Sequence, residues 1–365
     1  MYENSDGRRK DIGADFDAII IGAGPAGLSA AIYLGRYLRP TLIINDREPR
    51  TRWHRPTGHN VLGFPAGIMR SQLLEWGLAH VGQYESVKFH HGRVERIAQK
   101  DGRFTLTDDG GAEFNAAGLI LAMGMEYLLP ELPHVYDYAG HSIYHCPECD
   151  GYKMRGKRVI VLGHSRGVAA MALALRIWTD KITICTHGQK GEFDAPCAAK
   201  LREQHIDIYE EPVTDLLGDH QCGVLGAVQL KGGRRIECAG IFVNLGSEPP
   251  TDLLCQLPLR LHKGQYVHVD YRQRTSLPRC YAAGDIVAFA QTQLSVAVGQ
   301  GATAGIWLHK ELLPDCYRLD EQNDPAKDEI QAEHHGHLIP RPQPAVREAQ
   351  PSPPRNKTAP NAAPG

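Results

Sequence analysis

The segment Cys146-Pro147-Glu148-Cys149-Asp150 is the best equipped for chemistry in this chain. Two cysteines separated by two residues can close a small disulfide ring and reopen it by thiol–disulfide exchange. The acid that follows can give a proton to the neighbouring sulfur or take one from it. The same spacing also suits half of a zinc site, with His141 and His145 as further ligands. An all-cysteine site needs a second pair. The other seven cysteines (Cys185, Cys197, Cys222, Cys238, Cys255, Cys280, Cys316) stand singly and read as small buried apolar residues. No metal ligand is therefore assigned, and redox chemistry becomes the leading reading. His145 and Glu148 flank Cys146 with opposite effects on a thiolate.

Redox chemistry needs an electron carrier, and the N-terminal region has the elements to hold one. Phe16 to Ile21 is an apolar run that predicts a buried parallel strand. Gly22-Ala23-Gly24-Pro25-Ala26-Gly27 follows, and then a helical pattern from Leu28 to Tyr37. Glycines at these spacings allow a tight turn, close approach to a pyrophosphate and close helix–strand packing. A second strand, Thr41 to Ile44, leads to Asp46, an acid placed to meet a ribose hydroxyl.

A second strand–turn–helix opening follows the cysteine pair. Arg158 to Leu162 predicts a strand, Gly163-His164-Ser165-Arg166-Gly167-Val168 a turn, and Ala169 to Trp178 a helix. Read literally, Gly163 to Gly167 fits G-x-S-x-G, the turn of a hydrolase nucleophile, with Asp252 and His268 as partners for Ser165.

The chain has 365 residues, enough for two domains, and a net charge of −2. That charge gives no basic field for nucleic acid. Met1 to Asp15 has no apolar leader, and no apolar run is long enough to span a bilayer, which predicts a soluble, cytoplasmic protein. From Asp320 onward, Pro, Ala, Gln and charged residues replace periodic apolar ones, which predicts a disordered tail. His334-His335-Gly336-His337 within it reads as a solvated polar tract.

The order of these motifs resembles the low-molecular-weight thioredoxin reductases. Gly22–Gly27, Cys146–Tyr152 and Tyr281-Ala282-Ala283-Gly284-Asp285 carry the resemblance, which runs from about residue 16 to residue 315. Asn60, within His59-Asn60-Val61-Leu62-Gly63-Phe64-Pro65, matches a segment that lies near the flavin in that family. Gly284 and Asp285 match its second flavin motif, and Gln293 matches the glutamine of an Arg-Gln pair whose arginine is here Thr292. Leu245-Gly246-Ser247-Glu248-Pro249 is similar to the turn that leads back to the flavin domain.

The resemblance implies an α/β fold of two Rossmann-like three-layer domains, the second inserted in the first. The flavin domain would cover 1–130 and 263–320, the inserted domain 131–262 and the tail 321–365. It also implies FAD, a homodimer, and a thioredoxin-like protein or small dithiol or disulfide as partner. FAD would be held by Gly22, Gly24, Pro25, Ala26, Gly27, Asp46, Asn60, Gly284, Asp285 and Gln293. Electrons would pass between flavin and disulfide through Cys149, Cys146 would meet the substrate, and Asp150 would handle the proton.

The sequence departs from this family at the nicotinamide site. Ser165 and Val168 replace the second glycine and the closing alanine of the second turn. The family's His-Arg-Arg after the next strand reads His187-Gly188-Gln189 here, so both arginines that grip the 2′-phosphate are missing. Met123 replaces a threonine between Ala122 and Gly124. These changes predict weak or absent NADPH use, leaving ferredoxin as donor or oxygen as acceptor. An NADPH-dependent thioredoxin reductase is the alternative, ahead of a zinc-binding module or a serine hydrolase.

Overall fold

Apolar runs form the strands that carry the glycine turns. The computed structural model describes residues 15–46 and 57–317. β1 (Asp15–Ile21) buries Ala18, Ile19 and Ile20 completely. Helix α1 (Pro25–Arg36) starts inside the glycine turn, ahead of the expected Leu28. Pro25 at its first turn has φ already set for a helix and no N–H to lose. β2 (Thr41–Asn45), α2 (Arg70–Val81) and β3 (Val87–His91) follow. Then come β4 (Val94–Lys100), β5 (Arg103–Asp108) and β6 (Glu113–Leu121). The sheet order is β3-β2-β1-β6-β5-β4. Pairing is parallel from β3 through β6 and antiparallel from β6 to β4.

The chain leaves this sheet through β7 (Glu126–Tyr127) and α3 (Val135–Tyr138). β8 (Ile143–Tyr144) leads into the one-turn helix α4 (Pro147–Asp150), which carries the cysteine pair. β9 (Val159–Leu162), α5 (Arg166–Leu175), β10 (Ile182–Cys185), α6 (Ala195–Glu203) and β11 (Asp207–Tyr209) build a second sheet. A meander of β12 (Val213–Asp219), β13 (Val224–Leu230) and β14 (Arg235–Glu237) precedes β15 (Gly240–Val243). The second sheet is parallel throughout, in the order β11-β10-β9-β15-β8. Val213, Leu216 and Val228 of the meander pack on one of its faces, and Val168, Ala172 and Leu201 of the helices on the other. Three layers result, as a parallel sheet buried on both faces requires.

The return path pairs β16 (Ser247–Glu248) antiparallel with β7. Helix α7 (Thr251–Leu254) then adds Leu253 and Leu254 to the core of the first sheet. β17 (Leu261–His262) and β18 (Tyr266–Val267) form a small ladder. β19 (Cys280–Ala282) joins the end of β6 in parallel, and α8 (Leu294–Glu311) closes the unit against α1. That helix pair approaches to backbone contact. A Cβ on Gly301 would lie 2.0 Å from the carbonyl oxygen of Ala26.

All of this belongs to one unit ending at Leu313; the other runs from Pro314 to Gly365. Of the latter, residues 314–317 are described, with a single 3-10 turn at Asp315–Tyr317. The predicted disordered tail, 321–365, lies outside the described residues.

Candidate active site

The first glycine turn is shaped by contacts that side chains would prevent. Gly22 has φ +104°, and a Cβ there would sit 2.4 Å from the Ala122 carbonyl oxygen. A Cβ on Gly27 would meet the Gly22 carbonyl oxygen at 1.9 Å, so the helix cannot pack on the turn with any larger residue. Gly24 differs: nothing lies within 4 Å of its would-be Cβ. It caps α1 without a side-chain bond, so the first helical N–H groups point at open space. This bare backbone cradle fits a pyrophosphate.

Asn45, at the end of β2, holds the turn by accepting a hydrogen bond from the Ala23 N–H at 2.8 Å. Sequence pattern does not single out Asn45; its one signal is a polar residue ending an apolar strand. Gly22, Gly24, Pro25, Ala26, Asp46, Asn60, Gly284, Asp285 and Gln293 all line one cleft. Gly27 lies behind it, at the helix–strand contact. Residues from three separate stretches of sequence therefore meet at the end of one sheet, where β1, β2, β6 and β19 stop side by side.

The cysteine pair opens on this cleft. Cys146 and Cys149 are joined as a disulfide. Cys146 caps α4, and its carbonyl accepts from the N–H groups of Cys149 and Asp150, both at 3.2 Å. Cys149 lines the cleft, whereas Cys146 is only 6 % exposed. Two amides reach across to the sulfurs. Gln293 Nε2 donates to Cys146 Sγ at 3.2 Å, and Gln293 Oε1 lies 3.4 Å from Cys149 Sγ. Asn60 Nδ2 donates to that same Oε1 at 2.9 Å and is 3.6 Å from Cys149 Sγ. Residues matched to the flavin site by resemblance thus also contact the disulfide.

Asp150 is buried at the end of α4 and forms an ion pair with Lys153 at 3.2 Å. Burial pushes the neighbouring Tyr144 hydroxyl up to about 12, and the Asp150 charge adds to that effect. Glu148 is exposed, with Oε2 3.7 Å from Cys146 Sγ. His145 stacks on Tyr127 with ring centroids 3.7 Å apart, at the cleft wall. His141 is exposed on the surface.

The remaining cysteines divide. Cys185, Cys238 and Cys280 are buried, and desolvation pushes each thiol up to about 12, so they stay unreactive. Cys222, Cys255 and Cys316 are exposed, which corrects the expectation that all the single cysteines are buried.

The second glycine turn shares the backbone form of the first but not its open face. Gly163 has φ +140°, with its would-be Cβ 2.4 Å from the Asn244 carbonyl oxygen. Val168 is fully buried in the core beneath. The segment after β10 lies over the front of the turn. Glu192 N–H donates to the His164 carbonyl at 2.7 Å, and Arg166 pairs with Asp194 at 3.4 Å. At the end of β10, Thr186 Oγ1 closes a turn onto the Gln189 carbonyl, and Gly188 takes φ +86°. His187 turns inward: its Nδ1 accepts from Val213 N–H at 3.2 Å, and burial lowers its pKa, consistent with a neutral ring.

The hydrolase reading finds no support here. Ser165 has φ −73° and ψ 166°, an ordinary extended conformation rather than a strained elbow. Among the described residues, no hydrogen bond joins Ser165 to Asp252 or His268. Asp252 lies in α7, and His268 packs against His262 and Phe289. No helix among the described residues is long and apolar enough to cross a membrane.

Comparison with known proteins agrees with this geometry. The pyridine nucleotide-disulphide oxidoreductase family matches residues 16–301. An alkyl hydroperoxide reductase component of Xanthomonas campestris pv. phaseoli is 30 % identical over 80 % of the chain, which spans 56 % of that relative's length. A thioredoxin reductase of Listeria monocytogenes is 27 % identical over 80 % of this chain and 92 % of its own. The solved structure of an oxidoreductase from Agrobacterium tumefaciens superposes with a TM-score of 0.72, at 29 % identity over 82 % of this chain and 99 % of that one. A nucleotide cleft with a disulfide at its wall, on a fold shared with these proteins, identifies the chain as a thioredoxin-reductase-like member of the pyridine nucleotide-disulphide oxidoreductase family.

Proposed function

We propose that this chain is an FAD-dependent thiol–disulfide oxidoreductase that works through Cys146 and Cys149 and uses NADPH poorly or not at all. The observation that carries the reading is the position of the disulfide, with Cys149 on the wall of the dinucleotide cleft. The glycine cradle, Asp46, Asn60, Gly284, Asp285 and Gln293 would hold FAD, which when bound would supply two-electron redox chemistry.

The chain's own residues divide the exchange between them. In the reducing direction, the Cys146 thiolate attacks a substrate disulfide, forms a mixed disulfide and releases one substrate thiolate. Cys149 then attacks Cys146, releases the second thiolate and restores the ring. In the oxidising direction, a substrate thiolate opens the ring at Cys146 and leaves Cys149 as the thiolate on the cleft side. Cys146 is nearly buried, so the segment must open before a substrate reaches it. Gln293 steadies the developing charge on Cys146, and Asp150 carries the proton.

The second turn does not fit a nicotinamide dinucleotide phosphate. Its arginines are missing, Arg166 is paired with Asp194, and Glu192 is tied to the turn by its backbone. Ferredoxin as donor or oxygen as acceptor, with a thioredoxin-like protein or small dithiol as partner, is compatible with the same site. We place the division between a split flavin domain and an inserted domain at β7 and β16. The membership of Leu253, Leu254 and Leu257 in the first core supports this placement, ahead of residue 263. A cytoplasmic homodimer is part of the proposal.

The purified protein is expected to show oxidised-flavin absorbance, to be bleached anaerobically by excess dithiothreitol, and to recover in air. Colourless, flavin-free protein overturns the reading. Gln293→Ala tests the amide contact. Removing one hydrogen bond worth about 1 kcal/mol predicts roughly five-fold slower reduction of a chromophoric disulfide by dithiol-reduced protein, compared at equal bound flavin. An unchanged rate would show the contact to be idle.

A further inference from the structure

We propose that His134, Asp137 and His220 form a binding site for one zinc-class divalent ion, separate from the redox cleft. The three come from two segments distant in sequence. His134 and Asp137 lie at the start and within α3, and His220 in the turn between β12 and β13. His134 Nδ1 is 3.0 Å from Asp137 Oδ2, and His220 Nδ1 is 3.6 Å from the same oxygen. The two imidazoles stack with centroids 4.1 Å apart. One ligand atom from each residue lies within 4.8 Å of the other two.

Two imidazoles and one carboxylate suit zinc and its transition-metal neighbours, not calcium or magnesium, which take mostly oxygen ligands. Zinc holds nitrogen and oxygen at about 2.0–2.2 Å, which sets tetrahedral donors roughly 3.3 Å apart. Closing the present spread to that value requires the two imidazoles to turn out of their stack so that both nitrogens face one ion. A fourth position is left for water.

The backbones beneath these ligands are already fixed together. Ser142, 6 % exposed, donates to the Gly223 carbonyl at 2.6 Å and accepts from Leu225 N–H at 3.1 Å. Asp219 Oδ1 accepts from the N–H groups of Gln221 and Cys222 at 3.0 and 3.1 Å, which shapes the turn carrying His220. A Cβ on Gly223 would lie 2.7 Å from His141 Cβ and 3.0 Å from the Asp137 carbonyl oxygen. Glycine at this point lets the turn come close enough for His220 to reach Asp137. Binding therefore orders side chains only, and the ion clips the meander to α3.

The test uses metal-free full-length protein with its Cys146–Cys149 disulfide closed, titrated with zinc against a chromophoric chelator. The unmodified chain is expected to take up one more equivalent of zinc than His134→Ala/His220→Ala. The His335→Ala/His337→Ala variant, which removes imidazoles of the C-terminal segment, is expected to keep that equivalent. All three ligands are exposed and stand outside the flavin cleft, so the first double variant keeps its flavin content. Equal zinc uptake with and without His134 and His220 overturns the site. So does uptake that disappears only with His335 and His337, or no uptake by the unmodified chain.

Discussion

Cys149→Ser is expected to lower disulfide turnover by about a thousandfold or more, a barrier increase of roughly 4 kcal/mol, with flavin still bound. Serine is nearly isosteric with cysteine but cannot form a sulfur–sulfur bond. The cradle of Gly22 to Gly27 and the residues around Asp285 do not depend on this sulfur, so the flavin absorbance should persist. Cys146 keeps its thiol in the variant and still attacks a substrate disulfide. No neighbour then resolves the mixed disulfide, because exchange needs a second thiolate in reach. The covalent adduct should accumulate and be visible by mass spectrometry of the intact protein. Cys146→Ser should be as inactive but form no such adduct, since Cys149 faces the cleft. Turnover unchanged in Cys149→Ser would refute its role, and an adduct on Cys149 would reverse the assignment of the two sulfurs.

Anaerobic mixing with NADPH is expected to bleach the flavin slowly and without saturation at micromolar cofactor. Two missing arginines remove charge-assisted hydrogen bonds of about 1.5–3 kcal/mol each, or roughly a hundred- to ten-thousand-fold in affinity together. The structure adds two further reasons. The carboxylates of Glu192 and Asp194 stand beside the turn that would receive phosphates, and Asp194 pairs with Arg166, a candidate replacement cation. Gly188, at one of the arginine positions, has φ +86°, so restoring an arginine there would strain the backbone. Stopped-flow titration of flavin absorbance against NADPH measures the effect. Rapid, complete bleaching with micromolar saturation would show that this site works despite its altered residues.

The parts of this protein governed by local backbone geometry were legible in its sequence. Gly27 is required by a contact within its own strand–turn–helix unit and Gly22 by the positive φ of the tight turn, so their spacing announces the turn before any fold is known. The Cys146–Cys149 ring is likewise closed within one turn of α4. Helix starts were legible only approximately: α1 and α5 both begin inside their glycine turns, at Pro25 and Arg166, where apolar periodicity gives no signal. The tertiary structure alone decided which side chains converge. Gln293 reaches both sulfurs and Asn60 reaches Cys149, Asp194 takes Arg166, and His220 meets Asp137 because strand order and helix packing bring distant segments together. Steric limits on a turn act between neighbours in sequence and leave their mark there, whereas a hydrogen bond across the molecule leaves none in either segment alone.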